Sequence, residues 1–179
     1  MALVVLGELV AVPVAYAREA TSEQALTGTP EERLAALGIE LPTPPAPVAN
    51  YVRAVTTGNL VFLAGHGPLK PDGTYVTGKL GKDLTIEEGY EAARFTAIAM
   101  LASLKAEIGD LDRVRRIVKV TGMVNSDPAF TQQPKVINGC SDLLVSIFGD
   151  QGKHARAAVG MASLPIGIAV EIEMVVEVE

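Results

Sequence analysis

The chain has 179 residues, 49% of them apolar, so it has the size of one ordinary domain and enough apolar side chains for a packed core. Its formal charge of −6, with only four Tyr, four Phe and no Trp, argues against a generic nucleic-acid-binding protein, which carries a basic excess and aromatic rings. A single Cys excludes an internal disulfide framework, and two widely separated His disfavour an all-histidine metal site within one chain.

Residues 1–30 are interpreted as an N-terminal extension and linker, ahead of a domain at residues 31–179. Residues 1–17 are apolar except for Glu8 and end in the small-x-small pattern of a signal-peptide cleavage site. No Lys or Arg precedes this run, and Pro13 disfavours a membrane-spanning helix. We therefore expect a cytoplasmic protein, with an accessory strand or a misplaced start as one interpretation of this segment and export through it as the alternative.

The first predicted elements of the domain are short. Residues 31–37 fit one helix, and residues 42–47 contain four Pro residues that predict an extended, polyproline-like segment. Residues 51–57 and 60–64 are β-rich runs, and the two-residue gap between them predicts a β-hairpin. We expect residues 66–81, which are rich in Gly and Pro, to form a loop.

Two helices follow, one on each side of a strand predicted at residues 114–124. Thr85 and Glu88 form a capping box that starts the first helix, in which apolar residues recur at spacings of three and four until Gly109. The second helix starts near Pro134. Its apolar face consists of Val136, Cys140, Leu143, Leu144 and Ile147.

The last two predicted strands, at residues 155–162 and 168–178, complete the order ββαβαββ. The final strand alternates apolar side chains on one face with glutamates on the other. This order predicts an α+β fold in which two helices pack on one face of a sheet.

Arg156 is the first candidate for chemistry, because it lies among small residues at the start of a strand. Its guanidinium can reach the floor of a cleft and bind a carboxylate in a bidentate manner. A strand-edge arginine paired with a glutamate is the alternative, and spacing does not decide between them.

Three other residues have both a functional and a structural interpretation. Glu171 belongs by pattern to the solvent face of the last strand, but repulsion among the glutamates there favours turning one towards a partner subunit or ligand. His66 lies in the predicted loop between two glycines that allow close approach of a ligand, and a histidine without function is the alternative. Cys140 lies on the apolar face of a helix, so we expect a buried structural residue rather than a nucleophile.

Several short motifs lie in a fixed order along residues 31–179. They are Asn50-Tyr51-Val52, Ala64-Gly65-His66-Gly67-Pro68, Val136-Ile137-Asn138, Ala155-Arg156-Ala157-Ala158-Val159, Leu164-Pro165 and Val170-Glu171-Ile172-Glu173. Together they resemble the reactive intermediate deaminase family, also called the YjgF or RidA family. The proline-rich segment before the first strand is similar to that of one subgroup.

The resemblance implies a chorismate-mutase-like fold that assembles as a homotrimer with clefts between subunits. Members of the deaminase branch hydrolyse 2-aminoacrylate and related enamines or imines to 2-keto acids and ammonia, without a metal ion or cofactor. By position, Arg156 would hold the substrate carboxylate, Glu171 would position water and move protons, and the backbone carbonyl of Ala158 would orient that water. The residues implied to line the cleft are Tyr51, Asn138, Gly65 and His66.

One departure from the family pattern leaves the function open. The family's Ser-Gly-Gln is Ala64-Gly65-His66 here, so a hydroxyl and an amide are absent. Three classes remain: an enamine/imine deaminase, a cofactor-free protein that binds a keto acid in the same cleft, and an endoribonuclease or translation inhibitor. The charge of −6 argues against the third, so the expected partners are a small carboxylate and other copies of the chain, not nucleic acid or a membrane.

Overall fold

A computed structural model describes residues 28–45 and 49–179. The interpretations of residues 1–17 as a strand or signal segment, and most of the predicted linker, lie outside the described residues. Within the predicted polyproline-like segment, the described residues 42–45 are not helical. No helix in the described ranges is long and apolar enough to cross a membrane.

In the described part of the chain, five strands form one mixed sheet with the spatial order β1-β2-β5-β3-β4. Strands β3 and β4 pair in parallel, and the other neighbours pair antiparallel. The strands are β1 (Ala54–Thr57), β2 (Leu60–His66), β3 (Val114–Asn125), β4 (Ala155–Met161) and β5 (Val170–Val178).

The first two strands form the predicted two-residue hairpin. Thr57 pairs with Leu60, and Gly58 in the turn has a φ of 58°, a value that glycine adopts without steric cost. Strand β2 runs to His66, two residues beyond its predicted end, so the prediction that His66 lies in a loop is wrong. The reason is that β5 continues to pair past an irregularity after Leu63, with His66 opposite Ile172.

The described residues include three α-helices beside the sheet: α1 (Pro30–Ala36), α2 (Ile86–Ile108) and α3 (Gln133–Phe148). The predicted capping box of α2 is present, with the Glu88 amide donating to Thr85 and the Thr85 amide donating to Glu88. Helix α1 has its own capping box, which begins at Thr29, and it buries Leu34 in the core. Its first residue therefore precedes the predicted domain start by one position.

The core lies between the sheet and the two long helices. Helix α2 packs on β2 and β5, and α3 packs on β3 and β4. The predicted apolar face of α3 is buried, and its Cys140 is fully covered, so that burial raises the pKa of the thiol to about 12. The alternation predicted for β5 is also present, because its five core-facing residues are buried.

Within residues 28–45 and 49–179, no helix covers the opposite face of the sheet. Three large apolar side chains lie there, Val55, Phe62 and Val159, and they are 52%, 44% and 44% exposed. The glutamates of β5 share this face. The predicted α+β architecture with two helices on one face is therefore confirmed, with α1 as a third helix.

Candidate functional site

Arg156 lies on the helix-covered side of β4, the strand at one edge of the sheet. It pairs with Val120 of β3, whose side chain is fully buried under the helices. Its Nη1 donates to Asn138 Oδ1 and to Ser141 Oγ of α3, each at 2.9 Å. The guanidinium is thus held by neutral acceptors, not by the glutamate that the alternative interpretation required.

Local sequence explains why α3 can supply both acceptors. Asn138 and Ser141 are three residues apart, so they lie on the same helix face. Between them, Gly139 touches α2 so closely that a Cβ would lie 1.9 Å from the carbonyl oxygen of Tyr90. Only glycine allows this approach, which sets how closely α3 packs beside α2 next to Asn138.

His154 and Ser141 extend this group, and sequence reasoning assigned a role to neither. His154 Nε2 lies 3.1 Å from Ser141 Oγ, and His154 Nδ1 lies 2.7 Å from the Gly152 carbonyl oxygen. Two spacings in the sequence could have pointed to these residues. His154 precedes Arg156 by two residues, which is the spacing of one strand face, and Ser141 follows Asn138 by one helical turn.

Ala158 lies on the same side as Arg156. It pairs with Gly122, where a Cβ would lie 2.6 Å from Ile137 of α3, so only glycine fits under the helix at this point. In the described sheet β4 has one neighbour, β3, so its other edge offers backbone groups to a ligand or a second chain. The Ala158 backbone is therefore next to Arg156 and at an open edge.

Glu171 lies on the opposite, uncovered side of the sheet. It pairs with Met123 of β3, which is three residues from Val120. Side chains an odd number of residues apart along a strand point to opposite faces of the sheet, so Glu171 and Arg156 do as well. Its carboxyl packs on Gly65, where a Cβ would lie 2.2 Å from Oε1. Burial, and secondly the negative charge of Glu173, raises the pKa of Glu171 above its ordinary value.

His66 is buried with both ring nitrogens engaged. Nδ1 lies 2.7 Å from the Ala64 carbonyl oxygen, and Nε2 lies 2.8 Å from Ser103 Oγ of α2. Burial lowers the pKa of His66, the Ala64 carbonyl opposes this, and the Arg53 charge adds to the lowering. The ring therefore points into the protein and away from Glu171.

Tyr51 lies just before β1 and is 48% exposed. With Arg53, Gly65 and His66 it lines a cavity of about 120 Å³ that the proline-rich residues 42–45 partly cover. Arg53, which the sequence analysis did not single out, donates through Nε to the Pro45 carbonyl and so ties this segment to β1. Gly65, the glycine on which the Glu171 carboxyl packs, is among the residues that line this cavity.

The predicted site residues therefore form two groups. The arginine region comprises Asn138, Ser141, His154, Arg156 and Ala158, and the glutamate region comprises Tyr51, Gly65, His66 and Glu171. Arg156 and Glu171 themselves lie on opposite faces of the sheet, as the pairing of Val120 with Arg156 and of Met123 with Glu171 requires. One copy of the chain does not bring the guanidinium and the carboxylate together.

Metal-ligand geometry among the described residues occurs away from both regions. Glu31, Asp110 and Asp112 have carboxylate oxygens within 4.8 Å of one another. Glu31 also contacts Lys105 Nζ at 3.2 Å and accepts from the Leu111 amide at 3.1 Å. These contacts give the carboxylate a structural role between α1 and the end of α2.

A family model described as "YjgF/chorismate_mutase-like, putative endoribonuclease" matches residues 31–178. Among curated proteins, protein TCP17 of Trypanosoma cruzi is 47% identical over 152 residues, which are 84% of this chain and 95% of that protein. The family match includes almost all of the described structure.

Two solved structures show how the fold compares. A crystal structure of an Agrobacterium tumefaciens protein is 43% identical with a TM-score of 0.79, and it covers 84% of this chain and 92% of its own. RidA from a Psychrobacter species is 26% identical with a TM-score of 0.53, and it covers 76% of this chain and 94% of its own. The chain is thus closer to the first of these two structures than to that RidA.

Proposed function

The chain belongs to the YjgF/chorismate mutase-like family, and we propose that it hydrolyses reactive enamines or imines of the 2-aminoacrylate type to 2-keto acids and ammonia. In this proposal the chain forms a homotrimer, and Arg156 of one subunit faces Glu171 of the next across a shared cleft. No metal ion or cofactor takes part.

The observation that carries the proposal is the environment of Arg156. Asn138 and Ser141 occupy Nη1 and are neutral, so they orient the guanidinium without cancelling its charge. Within the described structure, the Arg156 contacts are confined to Nη1, which leaves Nη2 and Nε for a ligand. Those two groups form the side-on pair of donors that a carboxylate accepts in a bidentate manner.

Glu171 suits the proton transfers of the reaction. The enamine tautomerises to an imine as its carbon gains a proton and its nitrogen loses one, and water then adds to the imine carbon. Ammonia leaves from the resulting carbinolamine as the hydroxyl gives up its proton and becomes the keto group. Glu171 takes the proton from water and returns one to the leaving nitrogen. A carboxyl whose pKa is raised by burial is closer to neutral pH, where one group works best as base and then as acid.

Two features support assembly through the uncovered sheet face. The exposed apolar side chains of Val55, Phe62 and Val159 form a surface that a monomer would leave in water. The separation of the arginine and glutamate regions gives a second reason, because contact between copies is what joins them. A monomer that persists at high concentration in sedimentation experiments would contradict this assembly.

The test is complementation between two inactive variants. Arg156→Ala and Glu171→Gln chains, carrying different tags, are refolded together, and ammonia release from freshly generated 2-aminoacrylate is measured. In a ring trimer every mixed assembly has one cleft with both native residues, so we expect about a quarter of the sites to be active after random mixing. No recovery in purified mixed assemblies, when wild-type chains mixed in the same way are active, would overturn the shared cleft.

A keto-acid-binding protein is the second candidate, and one observation favours it. At the two positions where the family's hydroxyl and amide are replaced, Ala64 has no polar side-chain group and His66 is turned towards Ser103. The glutamate region thus has fewer polar groups for chemistry. Wild-type protein that binds pyruvate but releases no ammonia from 2-aminoacrylate would establish this candidate over the hydrolase.

A further inference from the structure

Four groups around Arg156 form one hydrogen-bonded chain. It runs from the Gly152 carbonyl through His154 and Ser141 to Nη1 of Arg156, with distances of 2.7, 3.1 and 2.9 Å. The other hydrogen of Arg156 Nη1 is donated to Asn138 Oδ1. Each member is at least partly buried, so its hydrogen bonds are not easily replaced by water.

The chain has only one consistent direction when His154 is neutral. A carbonyl can only accept, so His154 Nδ1 must carry the hydrogen that is shared with Gly152. Nε2 then has a lone pair and accepts the Ser141 hydroxyl hydrogen, which leaves the Ser141 oxygen to accept from Arg156. Burial, and secondly the Arg156 charge, lowers the pKa of His154 against the opposing Gly152 carbonyl, which keeps the ring neutral near pH 7.

We propose that Ser141 and His154 are positioning residues that hold the Arg156 guanidinium so that Nη2 and Nε face the substrate carboxylate. This inference rests on the proposed function, in which Arg156 binds that carboxylate. His154 accepts the Ser141 hydroxyl hydrogen and so fixes the direction of that hydroxyl. Ser141 and Asn138 both accept from Nη1 of Arg156, and two acceptors on one nitrogen prevent rotation of the guanidinium. Neither Ser141 nor His154 touches the substrate.

A purely structural role predicts a different result. A histidine that only joins the Gly152 segment to α3 would affect folding stability, and it would leave the Arg156 side chain and its affinity unchanged. A positioning role changes the affinity and the mobility of the guanidinium even where the fold is intact. The two roles are therefore separated by measurements on Arg156 itself.

Matched variants separate the donor and acceptor functions of His154. His154→Gln can place an amide oxygen near the position of Nε2 and still accept from Ser141, whereas His154→Asn is too short to do so. Ser141→Ala removes one of the two acceptors for Arg156. Ser146→Ala is the control, because Ser146 is on the same helix and its hydroxyl makes an exposed hydrogen bond to the Asp142 carbonyl.

The experiment measures pyruvate affinity by calorimetry and Arg156 mobility by ¹⁵N relaxation at Nε, on full-length protein checked for an unchanged thermal midpoint. We expect Ser141→Ala and His154→Asn to weaken pyruvate binding by roughly 10-fold and to increase the mobility. His154→Gln and Ser146→Ala should remain within about 3-fold of wild type in affinity. Wild-type affinity together with wild-type mobility in Ser141→Ala would overturn the positioning role.

The same series distinguishes failure of this inference from failure of the proposed function. If Arg156→Ala binds pyruvate as wild type does, or if wild type binds none, the proposed function fails and the mobility of Arg156 alone decides the positioning role. If Arg156→Ala loses binding while Ser141→Ala changes neither quantity, the proposed function stands and the positioning role is wrong.

Discussion

The arginine region and the glutamate region hold their charged groups in opposite ways. Arg156 is fixed by hydrogen bonds to Asn138 and Ser141, and Ser141 is in turn held by His154. Glu171 accepts no hydrogen bond from the described residues and is placed by packing on Gly65. Its negative charge is opposed by burial and by Glu173, whereas the charge of Arg156 is left available.

The contrast indicates a division of labour between the two regions. A guanidinium held by neutral acceptors keeps its charge and its direction, which suits recognition of an anion. A carboxylate held by contact with glycine, without hydrogen bonds that stabilise its ionised form, exchanges protons more easily. In the proposed function, binding and proton transfer therefore depend on different side chains, and variants in each region should affect different quantities.

The largest expected effect is in the arginine region. Arg156→Ala removes the charge that is proposed to pair with the substrate carboxylate, so both pyruvate binding and ammonia release should fall below detection, a loss of roughly 10² or more. Calorimetric titration and an ammonia-release assay measure the two effects. The control is Arg115→Ala, since Arg115 is exposed and pairs with Glu179 at 2.6 Å. Unchanged pyruvate affinity in Arg156→Ala would show that the carboxylate binds elsewhere.

In the glutamate region, Glu171→Gln should affect chemistry and spare binding. The amide keeps the shape of the side chain and loses its basicity, so turnover should fall by roughly 10² to 10⁴ while pyruvate affinity stays near that of wild type. Steady-state kinetics beside calorimetry separate the two outcomes. Glu177→Gln, on the same strand but bonded to Asn59, should behave as wild type does. An equal loss of affinity and turnover would remove the proposed division of labour.

Gly65→Ala tests whether glycine packing positions the Glu171 carboxyl. A Cβ at Gly65 would lie 2.2 Å from Oε1, so the carboxyl must move, and turnover should fall by about 10- to 100-fold. If the loss acts through Glu171, the double variant Gly65→Ala/Glu171→Gln should be no less active than Glu171→Gln alone. Additive losses in this double-mutant cycle would instead assign Gly65 a separate role.

The pH dependence of turnover tests the role of the glutamate region further, with a smaller expected effect. In the proposed mechanism the basic form of Glu171 takes a proton from water, so the rate should fall as pH decreases through its raised pKa. Glu173→Gln removes the neighbouring negative charge, lowers the pKa of Glu171 and should move this acidic limb to lower pH. Profiles of kcat/KM for both proteins measure the shift. An acidic limb that does not move would show that another group controls it.

The same pKa shift has a defined consequence for stability. The folded chain binds more protons at Glu171 than the unfolded chain does between the ordinary and the raised pKa. Its contribution therefore lowers the free energy of unfolding as pH rises through that interval, and the loss remains at higher pH. Urea unfolding of Glu171→Gln at neutral pH should accordingly show a protein at least as stable as wild type.

Deleting residues 1–27 should have the smallest effect, because the residues of both regions lie beyond them. This deletion keeps Thr29 and the capping box of α1. We expect the thermal midpoint, measured at one fixed chain concentration, and the pyruvate affinity to match those of the full chain. Leu34→Ala provides the contrast, since emptying this buried position should cost about 2–5 kcal/mol. A destabilised deletion variant would show that the early apolar run packs on the domain.

Much of the fold was predictable from local patterns. The capping box at Thr85, the hairpin at Gly58 and the alternation of β5 each depend on neighbouring residues, and each is present. His66 shows where this reasoning fails. Flanking glycines indicated a loop, but β2 continues to His66 because β5 offers it a pairing partner more than 100 residues away in sequence. Strand length is set by the neighbouring strand, which local composition does not describe.

The sequence by itself determined the α+β class, the buried face of each long helix, and the identity of Arg156 and Glu171 as residues to consider. Only the tertiary structure showed that these two lie on opposite faces of one sheet, because facing depends on the register of three paired strands. It also joined His154 to Ser141, a contact that depends on where α3 packs on the sheet. The hydrophobic periodicity of a helix or strand predicts the face of that element on which a side chain lies. Tertiary packing decides which other residues that face contacts.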